Sequence, residues 1–359
     1  MQKPRRYALI LAGGRGTRFW PRSRARAPKQ LLRFFGPRSL LEETYERLRP
    51  MIPAERFWIL TNDHLRSEIA RQLPEVPRRQ ILAEPVQRNT APCIGLAARI
   101  IQDIDPGAVL GIFPADHHIS RPVRFRRLLR PAFHAAAQGK LVVLGIQPRW
   151  PETGYGYLEF PAGAVPGSET VWPVQRFREK PDLPTAREFL AAGRFFWNAG
   201  MFFWRTDVFL EALRRHLPRV SSLLMSLPPL KDRRFRARLA ETYPRCENIS
   251  IDYGVMEKAD GVAGVAADDI GWNDLGSWNA VFDLLAKDPQ NNATRGPLLA
   301  HSSAGNYVEA PGKLVALVGV QNLVVVDTPD ALLIADRARA QQVGEVVRAL
   351  EKRKRTELL

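Results

Sequence analysis

Short apolar runs alternate with amphipathic stretches through the first two thirds of the chain. That order is expected of a mostly parallel sheet with helices on both faces. YALILA (7–12), RFWILT (56–61), AVLGIFPA (108–115) and LVVLGI (141–146) are the predicted strands. SLLEETYERL (39–48) opens with a capping box, Ser39 and Glu42 serving each other's amides, and is predicted helical. NTAPCIGLAARIIQDI (89–104) is a second predicted helix, with Thr90 as its N-cap and Pro92 in its first turn. Its apolar positions Ile94, Ala97, Ile101 and Ile104 share one face.

From 154 to 284 the pattern loosens into longer loops, the aromatic run MFFW (201–204) and a helix-like TDVFLEALRRHL (206–217) capped by Thr206. This stretch reads as an insertion covering the open edge of the sheet. DPQNNATRGP (288–297) is rich in Asn, Pro and Gly and reads as a linker between a catalytic domain, 1–287, and a small C-terminal domain, 298–359. In that last part NYVEAP, KLVALVG, NLVVVDTP and ALLIAD are short strands at close spacing, followed by the helix-like RAQQVGEVVRALEKR. Spacing leaves a left-handed β-helix and a small sandwich both open. The expected fold class is thus α/β, a Rossmann-like sheet plus a small β unit ending in a helix.

Composition narrows the class. With 45% hydrophobic and 25% charged residues, the 359-residue chain has the make-up of a soluble globular protein. It holds no apolar run near the roughly 18 residues of a membrane helix. The apolar run after the basic N-terminus is stopped by Gly13-Gly14, too short for a signal peptide, so a cytoplasmic protein without a membrane partner is expected. Cys93 and Cys246 have no disulfide or metal-ligand spacing and read as packing residues. The formal charge of +16 is carried mainly by arginine, scattered over segments such as PVRFRRLLRP and KDRRFRARLAE. Such scatter marks solvated helix faces rather than a nucleic-acid stripe. The terminal EKRKRTELL reads as a frayed helix end.

Chemistry concentrates in LAGGRGTRFWPRSRARAPKQL (11–31). Gly13, Gly14 and Gly16 follow the first strand, where side-chain-free amides can cradle a phosphate. A dinucleotide fingerprint is excluded because its third glycine would fall at Phe19, and a Walker A loop because no Gly-Lys-Ser/Thr ends the turn. Instead Arg15, Arg18, Arg22 and Lys29 follow, cations able to wrap a triphosphate.

This stretch resembles the signature of the sugar-phosphate nucleotidyltransferases. EPVQRNTAP, FPADHHI, ETGYGYLEF, FREKP, FWNAGMFFW, SIDYGVMEKA and GWNDLGSW resemble, in sequence and order, the branch of that family that makes GDP-mannose, the mannose-1-phosphate guanylyltransferases. Thymidylyl- and adenylyltransferases share the first motif and Glu-Lys-Pro but are less similar at RNTAP and SIDYGVMEK. The resemblance implies attack by a sugar phosphate on the α-phosphorus of GTP. The nucleophile is already anionic, which agrees with the absence of a Ser-His-Asp or Cys-His pattern.

By resemblance, the nucleotide contacts are Ala12, Gly13, Gly14, Gly16, Thr17 and Arg18, with Glu84, Asn89 and Thr90 near the guanine. Catalytic roles fall to Arg18, Lys29, Asp116 and Lys180. Glu179 and Lys180 address the sugar phosphate, Gly154 and Gly156 let the sugar approach the backbone, and Asn198 can bond a hydroxyl. Asp116 and Asp274 each follow a predicted strand, and two carboxylates suit one Mg²⁺ whose other positions go to phosphate and water. The resemblance implies the same pair as its ligands. His117 and His118 are adjacent, so they point apart and read as polar loop residues rather than a zinc site. Some family members carry a further phosphomannose isomerase domain with a histidine-rich metal motif. No such cluster is visible here and isomerase activity is not expected. The C-terminal unit is expected to serve self-association, giving a homodimer.

Overall fold

The computed structural model describes residues 4–359, which form two compact units. The first, the sheet unit, comprises 4–13, Thr44–Ala115 and Ile119–Trp272. The second, the β-helix unit, comprises Gly14–Glu43, Asp116–His118 and Asn273–Leu359.

All four predicted strands form, as Arg6–Leu11, Phe57–Asn62, Val109–Pro114 and Val142–Ile146. The sheet runs Ile81–Glu84, Phe57–Asn62, Arg6–Leu11, Val109–Pro114, Phe195–Arg205, Val142–Ile146, Ala263–Ala267, Val171–Pro173. Its first four strands are parallel, in register at Ile10–Ile59 and Ile10–Phe113. Near-continuous apolar runs suit this arrangement, because both faces are covered. One face packs Leu9, Trp58, Leu60, Leu110 and Ile112 against the Thr90–Ile104 helix. On the other, the Phe113, Phe133 and Phe203 rings meet edge to face 5.1 to 5.7 Å apart.

The aromatic run departs from the sequence expectation. Rather than covering an edge, Phe195–Arg205 lies in the middle of the sheet, antiparallel to both of its long neighbours. The cause is its composition: Phe196, Trp197, Phe202, Phe203 and Trp204 are all buried, and only a central strand covers both faces of such a run. Two caps are also corrected. The Thr90–Ile104 helix is capped by Asn89, whose side chain accepts the Thr90 amide at 2.9 Å, because the Thr90 hydroxyl is engaged by the Ile251 amide. Thr206 is the first residue of its helix, and its hydroxyl donates to Gln102.

Strand order reverses beside Arg6–Leu11. The chain adds two strands on one side, then crosses to place Val109–Pro114 on the other. Ligands of open α/β sheets bind outside the carboxyl ends of strands at such a switch point. Ala12 and Gly13 leave the sheet there, and so does Ala115, its amide bonded to the Leu11 carbonyl.

In the β-helix unit, Ala293–Arg295, Tyr307–Glu309 and Leu323–Thr328 stack in parallel, as do Leu298–His301 and Val315–Val318. Buried Asn292 and Asn306 form a ladder inside the coil, Asn306 donating to Asn292 Oδ1 at 3.0 Å. Parallel stacking of successive turns answers the question that spacing left open: this is a β-helix. The stretch 288–297 contributes its first strand, while Ala331–Asp336 closes it as an antiparallel hairpin before the Val343–Lys352 helix.

Residues 14–43 belong to the same core. Phe19 packs on Trp278 with ring centroids 5.1 Å apart, and Trp278 Nε1 donates to the Trp20 carbonyl at 3.2 Å. Both Phe19 and Trp278 are buried, each worth about 1.5–3 kcal/mol or more in transfer free energy. The capping box of 39–48 forms as predicted, with reciprocal bonds of 2.6 and 3.1 Å between Ser39 and Glu42.

Candidate active site

In the β-helix unit the glycine turn is shaped around one lysine. Gly16 adopts φ 61°, and a Cβ there would lie 2.3 Å from that of Lys29, so only glycine fits. Ser23 Oγ donates to the Gly16 carbonyl at 2.7 Å, and Gln30 Nε2 to that of Gly14 at 3.1 Å. Thr17 and Arg18 follow in a short 3₁₀ turn, with Arg18 exposed and Nη1 3.3 Å from the Gly276 carbonyl.

Lys29 is buried, its ammonium 2.9 Å from Asp116 Oδ2 and bonded to the carbonyl of Asp274. Three segments far apart in sequence thus meet at one ammonium. Burial alone would raise the Asp116 pKa, but the Lys29 charge and then His117 overcome it and hold this carboxyl below its ordinary value. Asp274 follows the Trp272–Asn273 strand in a turn fixed by Asn273 Oδ1, which accepts the Leu275 amide at 2.8 Å.

Arg22 is a correction. Its guanidinium pairs with the buried carboxylate of Glu309 and lies over the Phe34 ring, so it braces the β-helix and is not a loose cation for phosphate. Arg15 pairs with Glu351 across an exposed 2.6 Å contact, a type that contributes little and opens readily. His118 is bonded to Glu43 at 3.2 Å, and its ring lies tilted against Phe35 with centroids 4.4 Å apart. Among the described residues no group of three or more His, Cys, Asp or Glu is arranged to hold a metal.

The sheet unit holds two further groups. At the carboxyl end of the first strand, the Ala12 carbonyl accepts from Thr61 at 3.0 Å, and the Gly13 carbonyl from Asn62 and Gln87 at 3.2 and 2.6 Å. Glu84 is buried behind Gly13, and its Oε2 accepts from the Tyr243 hydroxyl at 2.5 Å. Burial raises its pKa, opposed by hydrogen bonds from Tyr243, Cys93 and the Arg88 amide.

The second group gathers Gly156, Glu179, Lys180 and Asn198. A Cβ on Gly156 would come 2.4 Å from Glu179 Oε2, so this glycine is required by close approach. That oxygen is buried with no hydrogen-bond partner among the described residues, while Lys180 Nζ lies 3.1 Å from Oε1. Burial raises the Glu179 pKa, and the charges of Asp252 and Glu257 raise it further. Asn198 donates to Asp252 Oδ1 at 2.8 Å. Gly154, by contrast, is exposed, its amide held by Glu152 at 2.9 Å.

SIDYGVMEK links these groups. The Ile251 amide binds Thr90, Asp252 accepts from Asn198, and Glu257 accepts the Glu179 amide at 3.0 Å. Ser250 accepts the Tyr253 amide at 3.3 Å. Tyr243, Cys93, Asp252 and Glu257 were not singled out as site residues by sequence reasoning. Only the acidic positions inside SIDYGVMEK gave a signal, and no spacing tied Tyr243 to Glu84, 159 positions away.

Comparison with known proteins agrees with this geometry. The family model described as nucleotidyl transferase matches residues 7–291, well over half of the chain. This chain belongs to the nucleotidyl transferase family. A second model, described as a mannose-P isomerase/GMP-like β-helix domain, matches residues 300–350. The chain is 39% identical over 354 residues to a mannose-1-phosphate guanylyltransferase of Escherichia coli, covering 97% of this chain and 74% of that one. It is 40% identical, with the same coverage, to the xanthan biosynthesis protein XanB of Xanthomonas campestris pv. campestris (strain B100). A solved structure from Thermus thermophilus, described as a mannose-1-phosphate geranyltransferase, is 35% identical with a TM-score of 0.84, covering 97% of this chain and 99% of that one. Among the described residues no helix is long and apolar enough to cross a membrane.

Proposed function

We propose that this nucleotidyl transferase makes GDP-mannose and pyrophosphate from GTP and α-D-mannose 1-phosphate by a single in-line displacement. An oxygen of the sugar phosphate attacks the α-phosphorus. The bond from that phosphorus to the bridging oxygen breaks, and its electron pair leaves with pyrophosphate. No proton need move, because a phosphate monoester with a second pKa near 6 is already largely dianionic. The barrier is the approach of two polyanions, and preorganised charge lowers such a barrier most.

The observation that carries this reading is Lys29, buried between the Asp116 carboxylate and the Asp274 carbonyl. It ties the Asp116 carboxylate to the Asp274 backbone, so the two residues meet at one ammonium. Asp116, kept ionised by Lys29, and Asp274 would hold a divalent ion, Mg²⁺ in this reading. Two carboxylates suit an ion that leaves its other positions to phosphate and water. When bound, the ion neutralises phosphate charge. Ala12, Gly13, Gly14, Gly16 and Thr17 supply the nucleotide turn, and Arg18 is the exposed cation at its end. Glu84, Asn89 and Thr90 select the base. Lys180 orients the sugar phosphate, while Glu179, Asn198, Gly156 and Gly154 receive the hexose; unpaired carboxylate oxygens seek the donors that sugar hydroxyls offer.

In this reading the chemistry belongs to residues 1–287, and the C-terminal part, 298–359, pairs two copies in the cytoplasm. Pyrophosphate release measured with each of GTP, ATP, dTTP and UTP against mannose and glucose 1-phosphates tests the assignment. GTP with mannose 1-phosphate should give the largest kcat/KM. Preference for dTTP or ATP with glucose 1-phosphate would overturn it.

A further inference from the structure

Glu84 and Tyr243 form a buried pair that no step of the displacement uses. Tyr243 is fully buried at the start of the Tyr243–Arg245 turn, and its hydroxyl donates to Glu84 Oε2. The same turn is tied to the EPVQRNTAP loop a second time, because the Arg88 guanidinium donates to the Pro244 carbonyl. A thiol hydrogen bond from Cys93, in the first turn of the Thr90–Ile104 helix, reaches the same carboxylate, as does the Arg88 amide. The other oxygen, Oε1, lies 3.8 Å from where a Cβ on Gly13 would sit, on the side of the nucleotide turn.

The chemistry of that oxygen selects among bases. An ionised carboxylate accepts hydrogen bonds and donates none. Guanine carries two adjacent donors on its Watson–Crick edge, the ring N1–H and the 2-amino group. Adenine has an acceptor at N1, which would face the carboxylate lone pair to lone pair, and hypoxanthine keeps N1–H but lacks the amine. A free glutamate can rotate or take a proton and lose this discrimination. The Tyr243 hydroxyl holds Glu84 on one oxygen, and hydrogen bonds from Tyr243, Cys93 and the Arg88 amide partly offset the rise in its pKa that burial causes.

We propose that Tyr243 is a positioning residue for base selection: by gripping one oxygen of Glu84 it keeps the other turned toward Gly13 as an acceptor that guanine satisfies and adenine does not. This rests on the assignment of Glu84 to the nucleotide made above.

The test compares kcat/KM for GTP, ITP and ATP, each with mannose 1-phosphate, in the wild-type enzyme, Tyr243→Phe and Glu84→Gln. Removing one hydrogen bond to a charged group should lower the GTP-to-ATP ratio roughly tenfold in Tyr243→Phe. A purely structural tyrosine would lower all three nucleotides together, and an unchanged ratio overturns the proposal. Glu84→Gln separates the two levels. If it changes the ratio and Tyr243→Phe does not, Tyr243 is wrongly assigned while Glu84 stands. If Glu84→Gln leaves the ratio untouched, the assignment of Glu84 itself fails. Should Tyr243→Phe not accumulate as folded protein, Cys93→Ala removes a weaker donor to the same carboxylate. A smaller loss of selectivity there supports the proposal, and an unchanged ratio overturns it.

Discussion

Asp116 and Glu179 are acids beside a lysine, yet their environments push them in opposite directions. Lys29 is buried, with 8% of its side chain exposed, so its charge acts through little water and holds Asp116 below its ordinary pKa. Lys180 is 54% exposed, its charge screened, while Glu179 is buried and also faces Asp252 and Glu257, so its pKa rises. Under the proposed function the difference suits each place to its ligand: a carboxylate held ionised by a buried ammonium suits a cation, and carboxylates crowded together with an unsatisfied oxygen suit neutral donors such as hydroxyls.

The largest expected effect breaks the first half of that contrast. Asp116→Ala should lower turnover by about 10² to 10³ with little loss of nucleotide affinity, because it removes one preorganised electrostatic element. Single-turnover rates beside equilibrium GTP binding would check it, and near-normal turnover would remove Asp116 from the site. Next comes Gly156→Ala. Its Cβ would lie 2.4 Å from Glu179 Oε2, which must swing away, and a displacement near 1 Å can cost roughly 10²-fold. The loss should fall on kcat/KM for the sugar phosphate while GTP affinity holds, a split that initial-rate kinetics resolve.

Asp252→Asn sharpens the second half. Burial is the main cause of the raised pKa of Asp252, opposed by Asn198. A carboxyl whose folded pKa lies above its unfolded value binds more protons in the native state, so stability falls as pH rises between those two values. The neutral amide escapes that loss. Thermal melts at neutral pH should therefore place Asp252→Asn above the wild type by a few degrees, an advantage that disappears at low pH, even as affinity for the sugar phosphate weakens. A lower melting point at neutral pH would contradict the cluster's electrostatics. The smallest effect is expected of Arg15→Ala. Its contact with Glu351 is solvent-exposed, so the melting temperature should stay unchanged at physiological salt.

Local chemistry was legible wherever it depended on neighbours in sequence. The apolar runs named the early strands, Ser39 and Glu42 named a helix start, and the glycines after Leu11 named a turn in which Gly16 leaves no room for a side chain. The resemblance then pointed to Lys29 and Asp116, which the structure joins. The Phe195–Arg205 strand was misplaced because its aromatic run fits a covering layer as well as a central strand. Asn89 was passed over as a cap for Thr90 because either residue type caps well, and only the distant Ile251 amide shows where the threonine hydroxyl goes.

The sequence by itself determined the family, the parallel sheet and the glycine turn after its first strand, because these are written in local periodicity and in motifs where each residue answers its neighbour. Tertiary structure alone decided that Arg22 braces Glu309, that Tyr243 meets Glu84, and that SIDYGVMEK joins the groups around Thr90 and Asn198. Those pairings set each group's charge and reach through burial and proximity. Both are properties of segments brought together by folding, and no spacing along the chain encodes them.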